Sequence, residues 1–289
     1  MFDIVIPTYN RYAQLPEFFS RNALLEHAPA ILWIIDDHSP HFMQAVIPSW
    51  INIRFIRLER NNGQAYARNL AIAKGDNQYV ISLDDDAWFE DAEMSLNELA
   101  SLFNTYPGAG CVMFNIATPD SPYATIQTGA VLPLHVTCGC AYRREVLEQI
   151  KGFSDFLHSQ AEETDISLRI YQAGWNIIFS NKIRVFHNFS PGLRTLQWYY
   201  NVRHNTTRND LLVVVMYFPR LLVAPFLVGK YLSHLRYAIT SRKSVFKTLG
   251  YTVKALLSFV KLLPKAVKNR KPLTLDQFNY WRALFKSKI

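Results

Sequence analysis

Tyr79-Val80-Ile81-Ser82-Leu83-Asp84-Asp85-Asp86 sets a largely apolar run directly against three carboxylates. A run of this kind reads as a strand buried on both faces, as in parallel sheets. Its end is unusual. Three adjacent acids at a buried strand terminus repel one another, and each is costly to desolvate without a compensating cation. Hard divalent ions such as Mg²⁺ or Mn²⁺ take oxygen ligands and are often shared with a substrate's phosphates. A solvated acidic turn would look the same in isolation, because turns favour Asp. The two readings separate on whether other strands bring polar groups to the same place.

The upstream sequence does so. Phe2-Asp3-Ile4-Val5-Ile6 is a short apolar run stopped at Pro7-Thr8-Tyr9-Asn10, and Ile31–Ile35 is a second run ending on Asp36-Asp37. A helical stretch from about Gln14 to His27 lies between them. Ile53–Leu58 reads as a third strand, Asn61-Asn62-Gly63 as a turn and Ala65–Lys74 as a helix of good formers. Alternating strands and helices specify an α/β fold, Rossmann-like, with a mostly parallel sheet flanked by helices. In such sheets the carboxyl ends of the strands form the ligand crevice. The acids at 36–37 and 84–86 therefore converge, which favours the cation reading. Beyond Pro107 the pattern becomes mixed. Cys111–Ile116, Ala130–Leu134 and Ile177–Phe179 read as short apolar pieces, and Val146–Ile150 and Thr164–Ala173 as helices.

These residues carry a family resemblance. Ile4-Val5-Ile6-Pro7-Thr8-Tyr9-Asn10-Arg11 resembles the opening strand and loop of family 2 glycosyltransferases. Asp36-Asp37-His38-Ser39 resembles their Asp-Asp-Gly-Ser turn, with His38 in place of the usual Gly. Asn62-Gly63-Gln64-Ala65-Tyr66-Ala67-Arg68-Asn69 resembles their Asn-x-Gly-x-x-x-Ala-Arg-Asn stretch, and Asp84-Asp85-Asp86 matches their Asp-x-Asp metal motif. Gly139 through Gly152-Phe153 resembles the acceptor-side segment, and Glu162-Glu163-Thr164-Asp165-Ile166-Ser167-Leu168-Arg169 their acidic catalytic helix. The stretches occur in the family's order over roughly residues 2–205. The resemblance implies a GT-A fold, a nucleoside-diphosphate sugar donor, a Mn²⁺ or Mg²⁺ ion and an inverting mechanism. The acceptor would be a hydroxyl of a glycan or lipid-linked glycan, as in cell-surface polysaccharide assembly.

On that reading Pro7, Thr8, Tyr9, Arg11, Asp37, Gly63, Arg68, Asp84 and Asp85 bind the donor, and Asp86 with Asp84 holds the metal. His187, in Val185-Phe186-His187-Asn188, stands where some relatives complete the metal site. Glu163 aligns with the catalytic base, where Asp is commoner, and Asp165 is the other candidate. Inversion needs one carboxylate to take the acceptor hydroxyl's proton, whereas acids in a first helical turn are also explained by the helix dipole. Glu162, Trp198, Tyr200 and Arg203 are acceptor or diphosphate candidates, since aromatic faces suit sugars and Arg suits a diphosphate. A nucleotidyltransferase would also pair Asp residues with a metal, but would carry a Gly-rich basic loop after the first strand. A non-catalytic scaffold of the same fold is the remaining alternative.

Of the 289 residues, 1–210 carry 16 Lys+Arg against 22 Asp+Glu, whereas 211–289 carry 15 Lys+Arg and one acid, Asp276. This asymmetry divides the chain into an acidic glycosyltransferase body, 1–210, and a basic helical extension, 211–289. The body splits into a donor half of about 1–107 and an acceptor half of about 108–210. Leu211–Gly229 is nearly all apolar but is interrupted by Pro219, Arg220 and Pro225, which suits two short interfacial helices better than one span. Lys247, Lys254, Lys261 and Lys268 recur every seven residues beside a stripe of Val245, Leu249, Val253, Leu256, Val260 and Leu263. A basic amphipathic helix of this kind suits an anionic membrane surface. No nucleic-acid motif appears, and the body is acidic. Three scattered Cys and a start without a basic, apolar leader point to the cytoplasmic face of the membrane.

Overall fold

The computed structural model describes residues 2–286, apart from 42–43, 155, 158, 190–194 and 242. Its centre is an 8-stranded sheet. Strands β1 (Phe2–Thr8), β2 (Ala30–Asp36), β3 (Ile53–Arg57) and β4 (Tyr79–Leu83) lie side by side and parallel, in the order β3-β2-β1-β4. Helix α1 (Leu15–Arg21) and a 3₁₀ turn (Ala23–His27) divide the stretch expected to be one helix. Helix α2 (Gln64–Lys74) begins at Gly63, whose φ of 88° needs glycine.

The second half completes the sheet with mixed pairing. After β5 (Ala87–Phe89) and α3 (Ala92–Thr105) come β6 (Ala109–Ala117), β7 (Gly139–Arg143), α4 (Arg144–Ile150), α5 (Glu162–Gln172) and β8 (Asn176–His187). Strand β7 runs antiparallel to both β4 and β6, β8 is parallel to β6, and β5 is antiparallel to β8. Two of these registers matter for the site. Leu83 pairs with Gly139, and Ala87 pairs with His187, so the loop before β7 and the end of β8 both meet the Asp84–Asp86 turn. The short apolar piece Ala130–Leu134 forms no strand and makes one isolated bridge, Val131 to Ile178. Ile177–Phe179 is part of the twelve-residue β8, which also carries His187.

Helices cover both faces, and the central strands are buried accordingly. One face packs on α1 and α3 through residues such as Ile4, Phe18, Leu99 and Phe103. The other packs on α2, α4 and α5 through Val5, Ala71, Leu147 and Ile166.

The C-terminal third is helical: α6 (Leu196–Tyr217), α7 (Arg220–Thr240), α8 (Val245–Lys268) and α9 (Leu275–Leu284). The change of charge at 210 does not coincide with a break in the chain. Helix α6 runs through it, and Leu211–Phe218 are buried in the core with the body. The first half of the apolar segment expected at the membrane is thus interior, and the break falls at Pro219, which cannot continue the helix ladder. The chain end also returns to the body. Phe278 and Trp281 are buried, and Trp281 Nε1 donates 3.0 Å to the carbonyl of Pro133. Among the described residues, no helix is long and apolar enough to cross a membrane.

Candidate active site

The ends of β1, β2 and β4 bring Thr8, Asp37 and the Asp84–Asp86 turn into one crevice. Pro7, Thr8, Tyr9, Arg11, Asp37, Gln64, Asp84 and Asp85 line a cavity of about 180 Å³. A second cavity of about 270 Å³ shares Arg11, Gln64 and Asp84 and is walled by Thr137, Cys138, Glu162, Glu163, His187 and Trp198, among others. The two are therefore compartments of a single site.

The three Asp side chains have different surroundings. Asp84 is partly open and accepts a 2.7 Å bond from Arg68 Nη2. Asp85 is buried, accepts 2.6 Å from Thr8 Oγ1 and lies 3.3 Å from Arg11 Nε. Burial pushes its carboxyl up to about 7, against the pull of Arg11 and Thr8. Asp86 is bonded to Arg11 Nη2 and lies 3.1 Å from His187 Nε2. Burial opposes its charge, yet the His187 bond and the Arg11 guanidinium hold it below the ordinary carboxylate value. Asp86 is thus the ionised member of the buried pair. His187 Nε2 also lies 3.9 Å from Asp84 Oδ2. His187 Nε2 is thus near both carboxylates, and an imidazole with two carboxylates is a donor set that suits Mg²⁺ or Mn²⁺, so Asp84, Asp86 and His187 could hold such an ion. Cys138 Sγ lies within 4.8 Å of the Asp84 and His187 ligand atoms. Burial and the charge of Asp84 push that thiol well up, so it stands there as a neutral group.

Arg68 is fully buried. Its Nε donates 3.0 Å to Ser82 Oγ, its guanidinium lies over the Phe153 ring, and Nη1 has no hydrogen-bond partner. It supports Asp84 from beneath and does not line either cavity. Asp37 lines the first cavity, but its oxygens also accept 2.7 and 2.8 Å bonds from the backbone N–H groups of Asn62 and Gly63. It fixes the loop that starts α2, and Gly63 enters the site through that loop. Asp36 is wholly buried, accepts 3.0 Å from Ser39 N and lies 3.6 Å from Arg57. It is structural. His38, where the family pattern has Gly, sits at φ 65° in the left-handed region.

The start of α5 separates the acidic candidates. Glu162 and Glu163 face the second cavity. Glu163 Oε1 accepts 3.3 Å from Thr137 Oγ1, and burial raises its carboxyl. Glu162 bonds Gln64 Nε2, its Oε2 has no hydrogen-bond partner, and burial with neighbouring Glu163 raises it to about 7. Asp165 turns away. It is fully buried and accepts from Arg169 Nε at 2.9 Å and from Tyr217 Oη at 2.6 Å. As a catalytic base Asp165 is ruled out by position, because residues two apart on a helix point in different directions. Trp198 reaches the second cavity, whereas Tyr200 stacks on Tyr251 and Arg203 lies over Tyr237 and bonds His234. Those two pack the helices together and do not line the cavity. Gln64, Thr137 and Cys138 were missed as site residues. The available signal is position within or beside the family-like segments, Gln64 after Gly63 and Cys138 before Gly139.

A mixed sheet with helices on both faces and acids gathered over the ends of its central strands is the GT-A arrangement, and the site is that of a glycosyltransferase. Residues 3–129 match Glycosyl transferase family 2, and residues 112–263 match Glycosyl transferase family group 2. The chain belongs to the family 2 glycosyltransferases. A Haemophilus influenzae protein described as an uncharacterized glycosyltransferase is 28% identical over 185 residues, 60% of this chain and 62% of that protein. The fold is similar to that of S. aureus TarS in complex with UDP-GlcNAc, with TM-score 0.61 and 15% identity over 92% of this chain and 82% of that one. It is also similar to GalNAc-T7 with UDP, GalNAc and Mn²⁺, with TM-score 0.61 and 17% identity over 89% of this chain and 54% of that one.

Proposed function

We propose that the protein transfers a sugar, with inversion, from a nucleoside-diphosphate sugar to a hydroxyl of a glycan or lipid-linked glycan. The observation that carries this is the junction of the two cavities at Arg11, Gln64 and Asp84. The cationic and acidic groups suited to a diphosphate lie on one side of that junction, and an accessible Glu163 lies on the other. The first cavity takes the nucleotide, with Arg11 available to its phosphates. Asp84, Asp86 and His187 would hold a Mn²⁺ or Mg²⁺ ion, which would supply positive charge to the diphosphate.

The acceptor enters the second cavity, where Trp198 offers an aromatic face. Glu163 takes the proton of its hydroxyl as that oxygen bonds to the anomeric carbon. The bond from the anomeric carbon to the diphosphate oxygen breaks, and the diphosphate leaves with the electron pair. Attack from the face opposite the diphosphate inverts the configuration. Burial, with the charge of Asp84, raises the proton affinity of Glu163.

The test is a thermal-shift screen of nucleotide sugars with Mn²⁺, beginning with UDP-GlcNAc, which is bound in the TarS complex. A true donor at a hundred times its dissociation constant stabilises by about 2.7 kcal/mol. Hits are then assayed for nucleoside diphosphate release, and the product anomer is read by NMR. Absence of any stabilising donor and of any diphosphate release would overturn the reading. A product that keeps the donor's anomeric configuration would overturn inversion alone.

A further inference from the structure

We propose that the outward faces of α7 and α8 seat the protein on an anionic lipid surface. Helix α8 packs on α6 through Thr248, Thr252, Ala255, Phe259 and Ala266, all buried. At 3.6 residues per turn, the opposite side of the helix carries Phe246, Val253, Leu257, Val260 and Val267. All five are exposed, Phe246 at 89% and Leu257 at 65%. This differs from the stripe read off the sequence, since Val245, Leu249, Leu256 and Leu263 are half-buried at its margin. Helix α7 repeats the arrangement, exposing Leu221 at 93% together with Val228, Leu232 and Ile239. The two helices touch each other as well as α6, so their outward faces adjoin. A long exposed apolar surface marks an interaction site.

Charge selects the occupant. Lys247, Lys254, Lys261 and Lys268 run beside the apolar stripe of α8, all of them exposed. No Asp or Glu occurs from 211 to 275. An apolar stripe with a basic border matches the interface of an anionic bilayer, where side chains enter the acyl boundary and lysines meet the headgroups. With no helix able to cross, the contact is in the plane of the surface.

The face also lies beside the catalytic site. Tyr199 Oη is 3.2 Å from Tyr237 Oη and 3.1 Å from Ser241 Oγ, and Gln197 Nε2 is 2.9 Å from Tyr251 Oη. The α7–α8 turn therefore sits against the start of α6, whose Trp198 lines the second cavity. Docking there would bring a lipid-borne acceptor to Glu163. This last step rests on the glycosyl-transfer reading, whereas the docking does not.

The experiment is flotation of the full chain with phosphatidylcholine vesicles, with and without phosphatidylglycerol, in about 0.1 M and about 1 M salt. The protein should float with anionic vesicles and at least tenfold less with neutral ones. Replacing Lys247, Lys261 and Lys268 with Gln should lower the partition coefficient on the order of a hundredfold. Replacing Phe246, Leu257 and Val260 with Ser should leave binding in low salt but abolish the fraction that the native chain retains in high salt. These side chains are exposed, so the variants should melt as the native protein does. If the native chain stays in the lipid-free fraction with anionic vesicles, the proposal fails. It also fails if the face instead forms a concentration-dependent dimer that the Ser variant dissolves without altering flotation.

Discussion

Tyr217 Oη donates a 2.6 Å hydrogen bond to Asp165 Oδ1, joining the end of α6 to the first turn of α5. Arg169 Nε donates 2.9 Å to the other oxygen. The carboxylate is thereby occupied on both sides in a fully buried position. Breaking a buried pair by removing one partner costs about 3–5 kcal/mol. Asp165→Ala should therefore lower stability by that order. Tyr217→Phe, which removes one donor, should cost about 1–3 kcal/mol. Urea melts of both variants would check this, and native-like melting of Asp165→Ala would contradict the structural role.

Glu163→Gln keeps the shape of the side chain and removes the proton acceptor. Turnover should fall about 10²–10⁴-fold, as is typical for loss of a general base. Donor binding, measured by calorimetry, should be unchanged, because the diphosphate contacts lie across the site junction. Wild-type turnover in this variant would assign the base elsewhere.

Arg11 pairs with both Asp86 and Asp85. On the proposed function its guanidinium shares Asp86 with the divalent cation and so competes with it there. Arg11→Gln should bind Mn²⁺ more tightly in the absence of donor, by on the order of tenfold, as read by EPR of the free ion. It should bind the donor more weakly, since a phosphate partner is lost. Asp86→Ala should abolish both Mn²⁺ binding and turnover, and full activity of the native enzyme in EDTA would exclude metal use.

Glu162 has a folded-state carboxyl raised from 4.5 to about 7. The folded protein thus binds this proton more tightly than the unfolded chain does. The associated stability is fully present below pH 4.5 and is lost as pH rises through about 7. Glu162→Gln removes that dependence. Relative to the native chain, the variant should gain on the order of 2 kcal/mol between about pH 5 and pH 8. Denaturant melts at the two pH values would measure the difference, and parallel pH profiles would refute it.

Removing residues 211–289 should abolish folding as well as surface binding. Leu211–Phe218 are core residues, and Trp281 Nε1 donates 3.0 Å to the carbonyl of Pro133 in the body. Loss of several buried Leu, Val and Phe side chains at about 2–5 kcal/mol each exceeds the total stability of a domain. A soluble, cooperatively melting fragment 1–210 would contradict this.

The sequence by itself determined the strands that build the crevice and the acids at their ends. Phe2–Thr8, Ala30–Asp36 and Tyr79–Leu83 are largely apolar stretches, and a stretch buried on both faces leaves few alternatives. Gly63 was legible for the same reason, since its φ of 88° excludes most other residues. The lysine series of α8 was legible because helical periodicity is local. What the tertiary structure decided is which way equivalent side chains point. Asp36 and Asp37 are adjacent, yet one is sealed in the core and the other lines the cavity. Glu163 and Asp165 lie on one helical turn, and only the packing of α6 against α5 tells which faces the cavity. Cys138 and His187 reach Asp84 through the pairing of Leu83 with Gly139 and of Ala87 with His187. Those registers join residues far apart in the chain. The energy that fixes them is burial of the whole sheet, which no local pattern records.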